Sequence, residues 1–64
     1  MKKVSWFDSD ELPELEPLSK DSIYFIDKQS GEYYFIDECW ASFCGPFATE
    51  ESCKHASVVY AEAL

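Results

Sequence analysis

The sequence predicts an α+β fold in which a three-stranded antiparallel β-meander is packed by one C-terminal α-helix. Three observations favour it. The tetrapeptide Tyr-Phe-Ile-Asp occurs twice, at residues 24–27 and 34–37, around a Ser-Gly pair. A Gly-Pro pair follows at residues 45–46, and a helical pattern of small and apolar residues occupies residues 49–63. With 64 residues, the chain has room for one domain at most.

A β-hairpin is predicted over residues 22–37, because both of its arms are rich in Ile, Tyr and Phe. Gly31 can adopt the left-handed conformation that closes a three-residue loop, Gln29-Ser30-Gly31. That loop length sets Lys28 opposite Glu32, a favourable pair of opposite charges. In this register Phe25 lies opposite Phe35.

The predicted register gives the hairpin two apolar faces. We expect the face with Ile23, Phe25 and Phe35 to meet the helix, because Phe has no polar atom to satisfy when it is buried. Tyrosines on the other face keep a hydroxyl group for water or a partner. We predict that this other face binds a partner. Its members are Tyr24, Ile26, Tyr34 and Ile36.

After the hairpin, a short third strand is expected at residues 41–44 and is ended by Gly45-Pro46. The helix is predicted at about residues 49–63. Thr49 suits its N-cap, and two glutamates in the first turn favour the helix dipole. The face predicted to pack on the sheet comprises Cys53, Ala56, Val59, Tyr60, Ala63 and Leu64.

Residues 1–21 are predicted to form an extended acidic arm attached to a small domain at residues 22–64. Bulky apolar residues alternate with acids in this arm, and Pro13 and Pro17 exclude a long helix. The arm can fold back, so that Trp6 or Leu15 covers the second face of the sheet, or it can act as a linear docking motif. The other candidates to cover that face are a second copy of the chain, in a homodimer, and a protein partner.

The charge of the chain restricts its partners. The net charge is −8, and the sequence contains no arginine. Nucleic acids and anionic membranes are bound through basic groups, so direct binding of either is not expected. A protein partner with a basic surface, such as a host enzyme, is favoured, although the acids can also serve solubility alone. No segment reaches the ~20 apolar residues of a membrane span, and acids follow "MKKV" where a signal peptide would be apolar; a cytoplasmic location is expected.

Four side chains could form a zinc site: Cys39, Cys44, Cys53 and His55. Their spacing is poor, because structural zinc prefers close pairs and Cys53 and His55 point apart on a helix. The alternative is that the cysteines are reduced and serve as small apolar residues. We expect no metal, no cofactor and no enzymatic activity, because no nucleophile has an activating base at a suitable spacing.

Exposed aromatic residues are the remaining candidates for a binding role. Together with Tyr24 and Tyr34, the two tryptophans Trp6 and Trp40 form more aromatic surface than one helix can cover. Asp37 and Glu38 lie at the end of the second arm of the hairpin. Trp and Tyr dominate the energetics of protein interfaces. We therefore add Trp6, Trp40, Asp37 and Glu38 to the predicted partner-binding residues.

The C-terminal third of the chain resembles a pattern met in small phage and mobile-element proteins. That pattern runs from Gly-Pro-Phe through a Thr cap and acids to a short helix with Tyr and Leu. The residues that carry it are Gly45, Pro46, Phe47, Thr49, Glu50, Glu51, Tyr60 and Leu64. The resemblance implies a small sheet-plus-helix fold and an accessory role, and it assigns no residue to a binding site.

The function that these features favour is a small cytoplasmic protein-interaction module, an inhibitor or adaptor, encoded by a phage if the resemblance holds. One alternative is an acidic DNA mimic that blocks the basic nucleic-acid channel of a host enzyme. A second alternative is a zinc-stabilised interaction module. Salt dependence separates the first two, because mimicry depends on charge.

Overall fold

Residues 4–63 are described by the computed structural model, and they form a five-stranded antiparallel sheet with one C-terminal helix. The strands are β1 (Ser5–Asp8), β2 (Glu16–Pro17), β3 (Tyr24–Asp27), β4 (Glu32–Ile36) and β5 (Ser42–Phe47). A 3₁₀ turn at Ser9–Glu11 follows β1, and the helix α1 spans Glu50–Glu62. The strand order across the sheet is β1-β5-β4-β3-β2. The predicted class is therefore confirmed.

The predicted number of strands was wrong, because the arm supplies two more. β1 pairs with β5, and β2 pairs with β3, so the arm forms both outer edges of the sheet. Proline has no N–H to donate, so it is tolerated in an edge strand, where that position faces solvent. Pro17 occupies such an edge strand. The arm is therefore extended, as predicted, and its two extended segments pair with the edges of the sheet.

The hairpin register differs from the predicted one by one residue. Tyr24 lies opposite Phe35, and Asp27 lies opposite Glu32, with a four-residue turn at residues 28–31 between the strands. The Gly31 N–H donates to the Asp27 carbonyl at 2.7 Å, and the φ of Gly31 is +75°, in the left-handed region as predicted. Lys28 forms an ion pair with Glu16 of β2 at 2.8 Å instead of facing Glu32.

A shift of one residue reverses the faces of a strand. Phe25 therefore lies on the side away from α1, and Tyr24 faces α1, contrary to the prediction for β3. Phe35 does pack against α1, as predicted. On the helix side, the buried residues Phe35, Cys44 and Cys53 are packed by Tyr24, Tyr33, Phe47, Ala56 and Tyr60.

The arm covers the second face of the sheet. It crosses from β1 at one edge to β2 at the other. Leu12 and Leu15, in the segment between them, pack on this face. The buried residues here are Tyr34, Ile36 and Phe43, packed by Phe7, Leu12, Leu15 and Phe25. The arm therefore folds back onto this face through Leu15, as the sequence allowed, whereas Trp6 packs against Phe35 and Tyr60 on the helix side.

The third strand of the hairpin unit, β5, continues through Gly45-Pro46, where the sequence predicted its end. Two residues of β5 lie between Cys44, paired with Phe35, and Phe47, paired with Tyr33, so β5 has one extra residue opposite Tyr34. Such a bulge leaves one residue without ladder partners, and proline, which has no N–H to pair, is tolerated there.

The helix agrees closely with its prediction. The Thr49 side chain accepts a hydrogen bond from the Ser52 N–H at 3.1 Å, as expected for an N-cap. Its inner face differs in part: Ser57 is buried, whereas Val59 is 52% exposed and Ala63 is exposed. The Tyr24 hydroxyl reaches Ser57 Oγ at 2.8 Å, so α1 is turned toward β3. Leu64 lies outside the described residues.

Within residues 4–63, no helix is long and apolar enough to cross a membrane.

Candidate functional site

A groove of about 160 Å³ lies between the C-terminal half of α1, the residue before β3 and the turn from β4 to β5. We call it the aromatic groove. Most of its wall is apolar, and two carboxylates belong to it. Its lining residues are Ile23, Phe35, Ile36, Asp37, Glu38, Trp40, Ser57, Tyr60 and Ala61.

Asp37 organises the turn that forms one wall of the groove. Its Oδ1 atom accepts hydrogen bonds from the N–H groups of Ala41, at 2.8 Å, and Ser42, at 3.3 Å. Its backbone N–H donates to the Ser42 carbonyl at 3.0 Å, and its carbonyl accepts from the Trp40 N–H at 3.1 Å. These bonds close residues 37–42 into a defined loop.

Trp40 is held at the mouth of the groove by this turn. The residue is 54% exposed, and its φ is +57°, in the left-handed region. A bulky residue with positive φ is uncommon, because its Cβ crowds the following carbonyl. Conformations of this kind are concentrated at functional sites, where the surrounding structure maintains them. The turn therefore presents a large ring to solvent at a conformational cost.

Tyr60 and Glu38 join the helix to the turn. The Tyr60 hydroxyl donates a hydrogen bond to Glu38 Oε2. The Tyr60 ring also packs on Trp6 and Phe35, with centroid distances of 5.2 and 5.9 Å. The hydrogen bond to the carboxylate, with smaller contributions from partial burial and nearby negative charge, raises the pKa of Tyr60 to about 12.

Replacing Glu38 with glutamine should lower the pKa of Tyr60, because an amide stabilises the protonated phenol less than a carboxylate does. The Tyr60 pKa in the folded protein is about 12, above its ordinary value of 10. The stability that this bond contributes is therefore present below pH about 10 and is lost as the pH rises through about 12. A spectrophotometric titration of tyrosinate should show one phenol ionising at lower pH in Glu38→Gln. In the control variant Glu51→Gln, which alters an exposed carboxylate on the outer face of α1, the profile should match the wild type. An unchanged profile in Glu38→Gln would contradict the assigned hydrogen bond.

Of the partner-binding residues predicted from the sequence, four line the groove: Ile36, Asp37, Glu38 and Trp40. Trp6 lies beside it, with its ring against Tyr60. The other three predicted residues do not line the groove. Tyr24 and Ile26 are half-buried, and Tyr34 is buried under the arm. Ile36 is also largely buried under the arm. The four hairpin residues therefore do not form one exposed patch.

Five lining residues were not among the predicted partner-binding residues: Ile23, Phe35, Ser57, Tyr60 and Ala61. Tyr60 could have been found, because the helical periodicity placed it on the inner face near the end of α1. Nothing local marks Ile23 or Ala61, since their position at the groove depends on how α1 crosses the sheet.

The candidate zinc ligands occupy different environments. Cys44 and Cys53 are buried in the same cluster, whereas Cys39 and His55 are exposed. Burial raises the pKa of the Cys44 thiol, and burial with nearby negative charge raises that of Cys53 to about 12. A raised pKa disfavours the thiolate, which is the form that binds metal and reacts. Among residues 4–63, no group of three or more His, Cys, Asp or Glu side chains could hold a metal ion.

The chain matches no protein-family model, no curated protein and no solved structure. Function is therefore inferred from the groove, its aromatic residues and the charge of the chain.

Proposed function

We propose that the protein is a small interaction module, an inhibitor or adaptor, that binds a basic protein partner through the aromatic groove. The observation that carries this proposal is Trp40, a half-exposed ring held in the left-handed region at the mouth of an apolar groove. Trp and Tyr contribute most to binding energy when a partner buries them, and Trp40 and Tyr60 are both in the groove.

The size of the groove favours a protein partner over a substrate or cofactor. Pockets for small molecules typically occupy about 300–1,000 Å³. The aromatic groove has about 160 Å³, enough for one anchoring side chain. Its two carboxylates already have structural partners, since Asp37 holds the turn and Glu38 accepts from Tyr60. This arrangement suits docking better than acid–base chemistry.

The charge of the chain defines the partner further. With a net charge of −8, the protein attracts basic surfaces and repels acidic ones. Of the three lysines in the described residues, Lys28 and Lys54 are paired with Glu16 and Glu50. The electrostatic attraction of a basic partner should therefore weaken as salt is added, whereas the contact made by the aromatic rings should persist. A cytoplasmic location stays a prediction from the sequence.

A second candidate function, mimicry of DNA, is favoured by the arm. Five carboxylates of residues 4–17 are exposed on it: Asp8, Asp10, Glu11, Glu14 and Glu16. Carboxylates displayed along one segment could occupy the basic nucleic-acid channel of an enzyme. In that case the arm, and not the aromatic groove, would make the decisive contacts.

Affinity capture from cells of the source organism tests both functions. Trp40→Gly removes the exposed ring and suits a positive φ, so this variant should fold. It should fail to retain the partner that the wild type binds. The matched control is Val58→Ser, which removes a 53% exposed apolar side chain from the outer face of α1 and should bind normally.

A third variant, with the five arm carboxylates changed to amides, separates the two functions. If the protein is an interaction module, this variant should still bind its partner, with lower affinity than the wild type at low salt. If the arm variant loses the partner while Trp40→Gly binds it fully, the aromatic groove is not the binding site and mimicry of DNA is favoured.

A further inference from the structure

We infer that the aromatic groove receives one arginine side chain of the partner, with its methylene stem on the apolar wall and its guanidinium group between the rings and the carboxylates. This inference rests on the proposed function and specifies which side chain of the partner enters the groove. It follows from the volume, the lining and the unneutralised charge of the groove.

The wall suits a long amphipathic side chain. Ile23, just before β3, Phe35 of β4 and Ala61 of α1 contribute apolar surface to the groove. Arginine buries its methylene groups along such surfaces while its charged end stays near polar groups. A groove of about 160 Å³ accommodates one side chain of this length.

The two rings supply a favourable surface for the cationic end. Trp40 and Tyr60 line the same groove. A guanidinium group is attracted by the face of an aromatic ring, most strongly by that of Trp, and its plane can stack on the ring. A neutral apolar anchor would gain only the contact area.

The carboxylates select a cation over a neutral anchor. Asp37 and Glu38 both line the groove, and no basic residue does. Glu38 accepts from the Tyr60 hydroxyl and, at 4.0 Å, from the Cys39 thiol. Since an ionised carboxylate has about four acceptor positions, both groups keep capacity for the donors of a guanidinium. Arginine matches two neighbouring carboxylates better than lysine, because it presents five N–H groups in a fixed plane.

A direct test uses a blocked pentapeptide with a central arginine between glycine and serine residues. Its comparison peptides carry citrulline, the neutral isostere, or lysine at the centre. The readout is NMR titration of the intact protein, followed at the Trp40 indole N–H and at the amides of Tyr60 and Ala61. The arginine peptide should perturb these signals and bind at least tenfold more tightly than the citrulline peptide.

Variants locate the effect. Trp40→Gly should abolish the perturbation, Glu38→Gln should weaken binding several-fold, and Val58→Ser should leave it unchanged. Equal binding of the arginine and citrulline peptides would overturn the inference, yet leave the groove as an apolar docking site and the proposed function intact. Equal binding of the lysine peptide would overturn the choice of arginine. Absence of any shift at the groove would overturn the inference, while partner capture by the Trp40→Gly variant decides the proposed function separately.

Discussion

Replacing Cys53 with glutamate is expected to unfold the protein or to remove most of its stability. Cys53 is 0% exposed and packs in one cluster with Phe35 and Cys44. A carboxylate there would lose its hydration, and the nearby Glu50, which contributes to the raised pKa of the Cys53 thiol, would repel it. Such substitutions cost about 4 kcal/mol or more, against a total stability of roughly 5 kcal/mol for a domain at the low end of the usual range.

The matched control for this variant is Val58→Glu, on the outer face of the same helix. Val58 is exposed, so the free energy of unfolding should change by about 0.5 kcal/mol or less. Lys54→Glu is a poorer control, because Lys54 pairs with Glu50 at 3.0 Å and lies 5.7 Å above the Tyr24 ring. Cys53→Ser should fall between the two extremes. Urea denaturation measures the series, and similar midpoints for Cys53→Glu and Val58→Glu would show that the inner face is assigned incorrectly.

The helix was predictable because its signals are local. Thr49 caps the N-terminus through a residue three positions away, and Cys53, Ala56 and Tyr60 recur at helical spacing. Only the rotation of the helix escaped prediction. It depends on the hydrogen bond between Ser57 and Tyr24, two residues 33 positions apart.

The hairpin was predictable as a pair of strands, but its register was not. The predicted three-residue loop was supported by the charge pair of Lys28 and Glu32. In the structure Lys28 instead pairs with Glu16, which belongs to the arm. A contact from outside the hairpin therefore accompanies the register that the local pattern disfavoured, and the shift of one residue reverses both faces of β3.

The arm shows the limit of composition as a guide. Alternation of apolar and acidic residues is typical both of recognition segments and of edge strands with one buried side. Leu12 and Leu15 decide between these alternatives by packing on a face made of Tyr34, Ile36 and Phe43. That face exists only after the hairpin and β5 have paired, so the sequence of the arm alone does not contain the answer.

The candidate site was predictable in its parts. Trp40 was predicted as an exposed aromatic ring, and Asp37 and Glu38 as acids at the end of the hairpin. The groove itself was not predicted, because Ile23 and Ala61 come from segments nearly 40 residues apart and meet only where α1 packs on the sheet. The strained φ of Trp40 was equally hidden, since any of the turn residues could have adopted the left-handed conformation.

Gly45→Ala is the second substitution for which we expect a large effect, although it adds only one methyl group. A Cβ atom at residue 45 would lie 2.5 Å from Cδ2 of Tyr34 and 2.9 Å from the carbonyl oxygen of Tyr33. Neither neighbour can move easily, because Tyr34 is buried under the arm and the carbonyl belongs to the backbone of β4. Overpacking of this kind costs about 3 kcal/mol.

Gly31→Ala is the control for Gly45→Ala, since the two sites differ in the reason for glycine. At Gly31 no atom beyond the adjacent residues lies within 4 Å of the added Cβ, and the obstacle is the φ of +75°. We expect a cost of about 1 kcal/mol there, from the left-handed backbone alone. Thermal and urea denaturation of both variants should show the larger loss at Gly45. Adding Tyr34→Leu to Gly45→Ala should relieve the ring contact, so that the double variant loses less than the sum of the single losses. Equal losses at the two glycines, together with strict additivity in the double variant, would mean that β5 does not approach Tyr34 as closely as the structure shows.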